Sequence, residues 1–468
     1  MKKVNVRLCY FFFFILPLLG SGQGGGALPN KQQLAWHNME YYFFVHFGPN
    51  TFTGKEWSDG KETADIFNPQ QMDCKQWASV AKQAGAKGII ITAKHHDGFC
   101  LWPSKYSNYT VRESNWKNGK GDVLRELSQA CQEAGLKFGV YISLWDRNHP
   151  DFGTEKYNDV FVNMIKEIFN NYGPVWELWW DGANGEGATG KTQMYDWKKF
   201  EKTVRQLSPR TVIFSDIGPD IRWAGNENGM AGKTNWNYLN TDGFKRGIGA
   251  PPNDTLSSGN VNGKNWIPAE CDASIRPGWF YHQEEDSKVK TAGQLFDLYL
   301  KSIGRGANLL LNVPPDQRGL INEKDADVLL QFKKLRDKNF EKNVLKQALS
   351  YYEFVPKDIS FRNIEPTGAF GANLQSFVIE LSQSSKVNCI ILREAIHLGQ
   401  TIRKFRIVLY NGSNNVGELS GTTVGRKRIL TFAAREITKI KVYLDDVLGS
   451  DNISGVAAYL IDEHLVEK

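Results

Sequence analysis

The chain has 468 residues, 41% hydrophobic and 23% charged, too long for one small domain and ordinary in balance for a globular protein. Its formal net charge of +6 is too mild to argue for a nucleic-acid partner, and three of the positive charges (Lys2, Lys3, Arg7) lie at the very start. Aromatic content is 12%, with 14 Trp; aromatic faces suit sugar rings, and they also fill cores.

Those three basic residues flank or precede the apolar run LCYFFFFILPLLG, which the small residues SGQGGG follow. The order basic, apolar, small predicts a cleaved export signal over residues 1–22. The run is shorter than the roughly 20 residues of a membrane span; a retained anchor is the competing reading. The expectation is an exported protein, periplasmic or secreted, with no membrane contact after cleavage. Cys74, Cys100, Cys131, Cys271 and Cys389 are scattered and odd in number, which fits neither a disulfide framework nor a zinc spacing.

From residue 30 to 343 short apolar runs alternate with amphipathic patterns. YYFFVHFG, from Tyr41, is the first strand. DCKQWASVAKQAGAK is a helix with Trp77, Val80, Ala81 and Ala84 on one face, leading into the strand GIIITAKHHDG. GDVLRELSQACQEAG places Val123, Leu124, Leu127, Cys131 and Ala134 at helical spacing and stops at Gly135. The strand KFGVYIS follows, then the helix NDVFVNMIKEIFNNYG and the strand ELWWD. WKKFEKTVRQLSP precedes the strand RTVIFSD; later AGQLFDLYLKSIGRG is a helix and ANLLLNVPP a strand. Near-continuous apolar strands between helices predict parallel strands covered on both faces. Over about 300 residues this predicts an α/β fold, a (β/α)8 TIM-like barrel with long loops. A doubly wound open sheet is the alternative, weakened because no G-x-G-x-x-G follows the first strand.

From residue 350 to 468 the period changes to two. LQSFVIEL, KFRIVLY and KIKVYL alternate apolar residues between turns, which predicts a C-terminal antiparallel β-sandwich.

Polar residues stand at the ends of the predicted barrel strands: His46, then His95 and His96, then Tyr141 and Ser143, then Asp181, then Asp216. Groups at the carboxyl ends of barrel strands converge on one face, where barrel enzymes do chemistry. Two adjacent histidines on an extended strand would point to opposite faces, which speaks against a shared metal ion. Neither a metal nor a cofactor is expected. No nucleophile elbow and no P-loop is found. Asp181, beside Trp179 and Trp180, suits one half of a carboxyl pair for glycoside hydrolysis, where retention places the two about 5–5.5 Å apart. The second carboxyl could be Asp216, Glu227, Glu270 or Asp272; Glu227 lies in the Gly/Asn-rich loop IRWAGNENG beside Arg222 and Trp223.

HFGPNTFTGKEW, KHHDGFCLWPS, GVYIS and ELWWDGANG together resemble the α-L-fucosidases of glycoside hydrolase family 29, in order across residues 33–340. The C-terminal segment is also similar to that family's β-domain. The resemblance implies a retaining exo-glycosidase that removes terminal α-L-fucose without metal, acting on fucosylated oligosaccharides or glycoconjugates. It implies that Asp181 is the nucleophile and that His46, His95, His96, Glu56 and Trp57 contact fucose. Tyr141 matches the third-strand tyrosine, Trp179 a pocket wall, and Trp279 the contact with the fucose methyl. The third strand carries Ile142 where many members have a second tyrosine. RWAGNENG looks like the branch selective for 1,3- and 1,4-linked fucose, which implies Glu227 as acid/base with Arg222 assisting nearby. Broader linkage or aryl-fucoside preference, another glycosidase such as a galactosidase, and a non-catalytic carbohydrate-binding barrel are the competing functions.

Overall fold

The computed structural model describes residues 26–347, 376–449 and 451–467; the predicted export signal lies outside them. Among the described residues fifteen strands run in chain order: β1 Tyr41–Val45, β2 Gly88–Lys94, β3 Lys137–Ile142, β4 Glu177–Trp179, β5 Val212–Ser215, β6 Ile221–Trp223, β7 Tyr238–Leu239, β8 Asn265–Trp266, β9 Ala269–Ser274, β10 Asn308–Asn312, β11 Ser376–Glu394, β12 Ile402–Asn411, β13 Asn414–Gly421, β14 Arg428–Val447 and β15 Ile453–Tyr459. Eight of them close a barrel in the order β1-β10-β9-β6-β5-β4-β3-β2, every neighbour parallel. The predicted barrel is therefore present. β7 and β8 form a separate two-stranded ribbon.

Alternation along each strand divides the side chains between two cores. Tyr42, Phe44, Ile90, Tyr141, Trp179, Phe214 and Leu310 point into the barrel. Their neighbours Tyr41, Phe43, Val45, Ile89, Ile91, Val140, Ile142, Leu309 and Leu311 pack outward under the helices. Ile142 thus belongs to the outer layer, and Tyr141 is the third-strand side chain that faces the pocket. Trp179 and Trp180 separate in the same way: Trp179 stacks inside on Phe214 with ring centroids 4.1 Å apart, and Trp180 packs outside against Trp197 and Phe200. Gly139 shares the inward parity of Tyr141, and a Cβ there would lie 2.7 Å from Ile90; the aromatic filling leaves no room for it.

The predicted helices form where their caps begin and end them. Asp73 and Asp122 accept backbone N–H groups at the starts of Cys74–Gln83 and Val123–Ala134. Gly135, at φ +73°, closes the second. One crossover has no helix. β5 passes to its parallel neighbour β6 through residues 216–220, where Asp220 accepts from Ile213 N at 2.8 Å and from Arg205 at 2.6 Å. The segment IRW, read from sequence as loop, is therefore a barrel strand.

In the C-terminal region the described residues form one five-stranded antiparallel sheet, order β13-β12-β14-β11-β15; residues 348–375 lie outside the description. The second half of its long strand β11, from Val387 to Leu392, is buried on both faces. Ile390 and Leu392 join the sheet's own core, whereas Cys389 and Ile391 join the outer layer of the barrel. The sheet is seated on the barrel flank, and Glu40 reaches across to Arg426 and Lys427.

Candidate active site

The carboxyl ends of β1, β2, β3, β4 and β10 bring most of the predicted site residues together. Asp181 lies two residues past β4. Its Oδ2 accepts from Tyr141 Oη at 3.0 Å and its Oδ1 from Ala183 N at 2.8 Å, so both oxygens are oriented. Its side chain retains 27% exposure, enough for a ligand to reach it.

Three histidines stand at the same end of the barrel, His96 beside this carboxylate and His46 and His95 beside Tyr141. β2 ends at Lys94, after a register shift between Thr92 and Lys94 against β3. His95 and His96 consequently lie in a turn, and strand alternation does not separate them. Their ring centroids are 4.2 Å apart, which corrects the expectation of opposite faces. His46 ends the β1 segment, with its ring 5.8 Å from that of His95.

The proton on two of these rings follows from their partners. Asn312, at the end of β10, donates through Nδ2 to Ser274 Oγ at 2.9 Å and to Trp279 O at 2.8 Å. Its Oδ1 is therefore the acceptor that lies 2.9 Å from His46 Nδ1. His46 Nδ1 carries the proton, and Nε2 offers a lone pair. Ser143 Oγ donates to Trp145 O at 2.9 Å and lies 2.8 Å from His96 Nδ1, so His96 too presents Nε2 as an acceptor. Burial keeps the set neutral: it depresses His46 to about 3 and lowers His95 and His96 as well. His96 Nε2 stands 3.6 Å from Asp181 Oδ2, beyond hydrogen-bond range. The site thus offers acceptors beside a carboxylate, which suits an uncharged polyol whose hydroxyls donate.

Aromatic rings make the walls. Trp179 is the floor, stacked on Tyr141 at 5.3 Å with its Nε1 donating to Glu270 at 2.9 Å. Trp57, 56% exposed, lies at the rim 5.2 Å from His96. Trp279 sits 5.1 Å from His46 and donates from Nε1 to Glu227 Oε2 at 3.2 Å. Glu227 is exposed, on the loop after β6.

The other acids and Arg222 are placed differently. Glu56 accepts from Trp279 N at 2.8 Å, Phe280 N at 3.2 Å and His282 Nε2 at 2.6 Å, so it ties its own loop to residues 278–282. Glu270 is fully buried beneath Trp179, bonded to Tyr42 Oη. Asp272 is buried and accepts from Trp223 Nε1 at 2.9 Å. Asp216 accepts from Ile217 N at 3.0 Å and Gly247 N at 3.3 Å. Arg222, expected near the acid/base, is fully buried. Its guanidinium donates to Leu256 O at 2.8 Å, Trp236 O at 2.9 Å and Ile267 O. β6 turns it away from the pocket, and burial lowers it to about 9; its part is structural.

Sequence reasoning missed Asn312, Trp145 and Phe280, and gave Ser143 no site role. Phe280 packs edge-on against His46 and His95, and Trp145 lies 5.1 Å from His96. A polar Asn ending the apolar run ANLLLN was the available signal for the first.

A family profile described as Alpha-L-fucosidase matches residues 28–341. Alpha-L-fucosidase 1 of Arabidopsis thaliana is 39% identical over 481 residues, covering 97% of this chain and 94% of the relative. The crystal structure of a glycoside hydrolase 29 family member from an unknown rumen bacterium superposes with a TM-score of 0.83 at 38% identity, over 94% of this chain and 78% of that one. A Ruminococcus gnavus GH29 fucosidase in complex with fucose gives 0.82 at 30% identity, over 94% and 96%. A closed parallel barrel with these matches along nearly its whole length belongs to the α-L-fucosidases of glycoside hydrolase family 29, and this chain is an α-L-fucosidase.

Proposed function

We propose that the enzyme is a retaining exo-fucosidase with Asp181 as nucleophile and Glu227 as acid/base. The observation that carries the reading is Asp181 itself, a partly exposed carboxylate oriented by Tyr141 and Ala183 beneath neutral histidine acceptors. Asp181 attacks the anomeric carbon while Glu227 protonates the departing oxygen; water deprotonated by Glu227 then releases fucose with net retention. Glu227 is favoured over Glu270 and Asp272 because it is exposed at the pocket mouth, where a leaving oxygen can meet it, and they are buried. His46, His95 and His96 take the sugar hydroxyls, and Trp279 lies against its apolar side.

The substrate class is terminal α-1,3- or α-1,4-linked fucose on a branched oligosaccharide, supported by the RWAGNENG segment, and the protein acts after export, supported by residues 1–22. Asp181→Asn should abolish turnover and leave the fold intact by circular dichroism; near-normal rates would remove Asp181 from the role. Glu227→Ala should cost roughly 10²–10⁴-fold on substrates with poor leaving groups, while on a nitrophenyl fucoside, whose departure needs no proton, azide should restore turnover by attacking the fucosyl-enzyme in place of activated water, giving fucosyl azide. Rescue at Glu270→Ala instead would move the acid/base there. Products from 1,2-, 1,3-, 1,4- and 1,6-linked fucosides test the linkage.

A further inference from the structure

We propose that Trp279 is a positioning residue for Glu227, its indole N–H holding that carboxyl at the pocket mouth while Glu56 and Asn312 fix the tryptophan. The proposal rests on Glu227 being the acid/base. Glu227 is exposed on a loop whose Gly225 and Gly229 have left-handed φ of +77° and +71°. Among the described residues, Trp279 Nε1 is the donor that reaches it. An exposed glutamate has several rotamers to choose from, and proton transfer needs one.

The tryptophan is held much more firmly than the glutamate. Its backbone N–H is taken by Glu56 Oε2 and its backbone carbonyl by Asn312 Nδ2, each at 2.8 Å. Phe280 N and His282 Nε2 bind the other Glu56 oxygen. Below them buried Arg276 anchors the segment to Asp325 at 2.8 Å and Asp286 at 2.9 Å. Both backbone polar groups of this one loop residue are thus clamped by side chains from two other barrel segments. Asn312 is also the residue that sets the His46 tautomer. One amide therefore registers the sugar-binding ring and the indole that holds the acid/base against each other. A wall that only packed against the sugar would need its ring face, and its N–H could point anywhere.

The distinguishing measurement is leaving-group dependence. Trp279→Phe keeps an aromatic wall and removes the donor. A sugar leaving group needs protonation; a nitrophenolate hardly does. We expect kcat/KM to fall on both a fucosylated trisaccharide and a nitrophenyl fucoside, with the loss on the trisaccharide at least tenfold larger. In a Glu227→Gln background, Trp279→Phe should leave that ratio unchanged, because the two side chains act as one unit. Glu56→Gln, which loosens the clamp from the opposite side, should show the same selective loss. Equal losses on both substrates, or a further change of the ratio in the Glu227→Gln background, would overturn the proposal and leave Trp279 as a sugar wall. Should Glu227→Gln alone show no leaving-group dependence, the acid/base assignment itself fails, and the positioning role falls with it.

Discussion

Asp181 takes two donors and Tyr141 supplies the one that is a side chain. A hydrogen bond to a charged acceptor contributes about 1.5–3 kcal/mol. Tyr141→Phe should therefore lower kcat/KM roughly 10–100-fold with little change in melting temperature; a loss below twofold would reduce Tyr141 to packing. The histidines give a second prediction. Burial depresses His46 to about 3 and His95 well below the ordinary 6.5, so these two stay neutral through mildly acidic pH; burial lowers His96 too, against the pull of the Asp181 charge. Inhibition by free fucose should be constant from pH 7.5 to 5; a tenfold rise of its inhibition constant near pH 6.5 would contradict neutral acceptors. The sign for stability is the same: a depressed folded pKa gives stability present above 6.5 that is lost as pH falls towards about 3 for His46. At this scale the sequence identified the chemistry-bearing residues at strand ends and could not say which nitrogen faces the sugar. That depends on Asn312 and Ser143, which reach their histidines from the neighbouring strands β10 and β3.

β4 and β9 bring a second carboxyl pair together inside the barrel. Glu177 and Glu270 are both fully buried beneath Trp179. Burial and each other's proximity raise Glu177 well above the carboxylate range, and burial pushes Glu270 up to about 7. A raised folded pKa gives stability that is full below the unfolded value and lost as pH rises through the folded one. Replacing Glu177 by Gln removes one titrating partner. Between pH 4.5 and 8 the melting temperature of the wild type should fall relative to the variant as pH rises; parallel curves would show that the pair does not hold a proton. The sequence read β1 to β5 and β10 because their apolar runs are long. It missed β6 and β9 as strands. Three residues, Ile221–Trp223, are too few for a period, and Ala269–Ser274 carries Glu270 and Asp272 where apolar residues were expected. Both acids are accommodated only because Trp223 donates to Asp272 from the adjacent β6, and Tyr42 and Trp179 donate to Glu270 from β1 and β4 across the barrel interior.

For the whole molecule, the C-terminal sheet is part of the barrel's packing. Cys389, Ile391, Ile429, Ile461 and Leu465 complete the outer core, and buried Lys427 is paired with Glu40 at 2.6 Å. Glu40→Ala strands that lysine, which should cost on the order of 3 kcal/mol in urea unfolding, with Lys427→Met in the same chain restoring much of it. A loss below 1 kcal/mol would show that the two regions are held by apolar packing alone. A chain ended after residue 347 should be insoluble or lack a cooperative transition, because the barrel flank would expose that apolar surface.

What the sequence determined by itself was local: helix caps, strand periods, the change of period near residue 350, and the row of polar residues where strands end. Its family motifs carried the activity. The resemblance singled out Glu227 among four acids; tertiary structure alone decided that Glu270 and Asp272 are buried, that Arg222 faces away, that His95 and His96 share a face, and which atoms hold Trp279. Period and capping depend on neighbours a few residues apart, which a chain displays in its order. Burial, tautomer and carboxyl environment depend on contacts between segments far apart in the chain, such as Asn312 with His46 and Glu56 with Trp279, and these exist only once the eight strands meet.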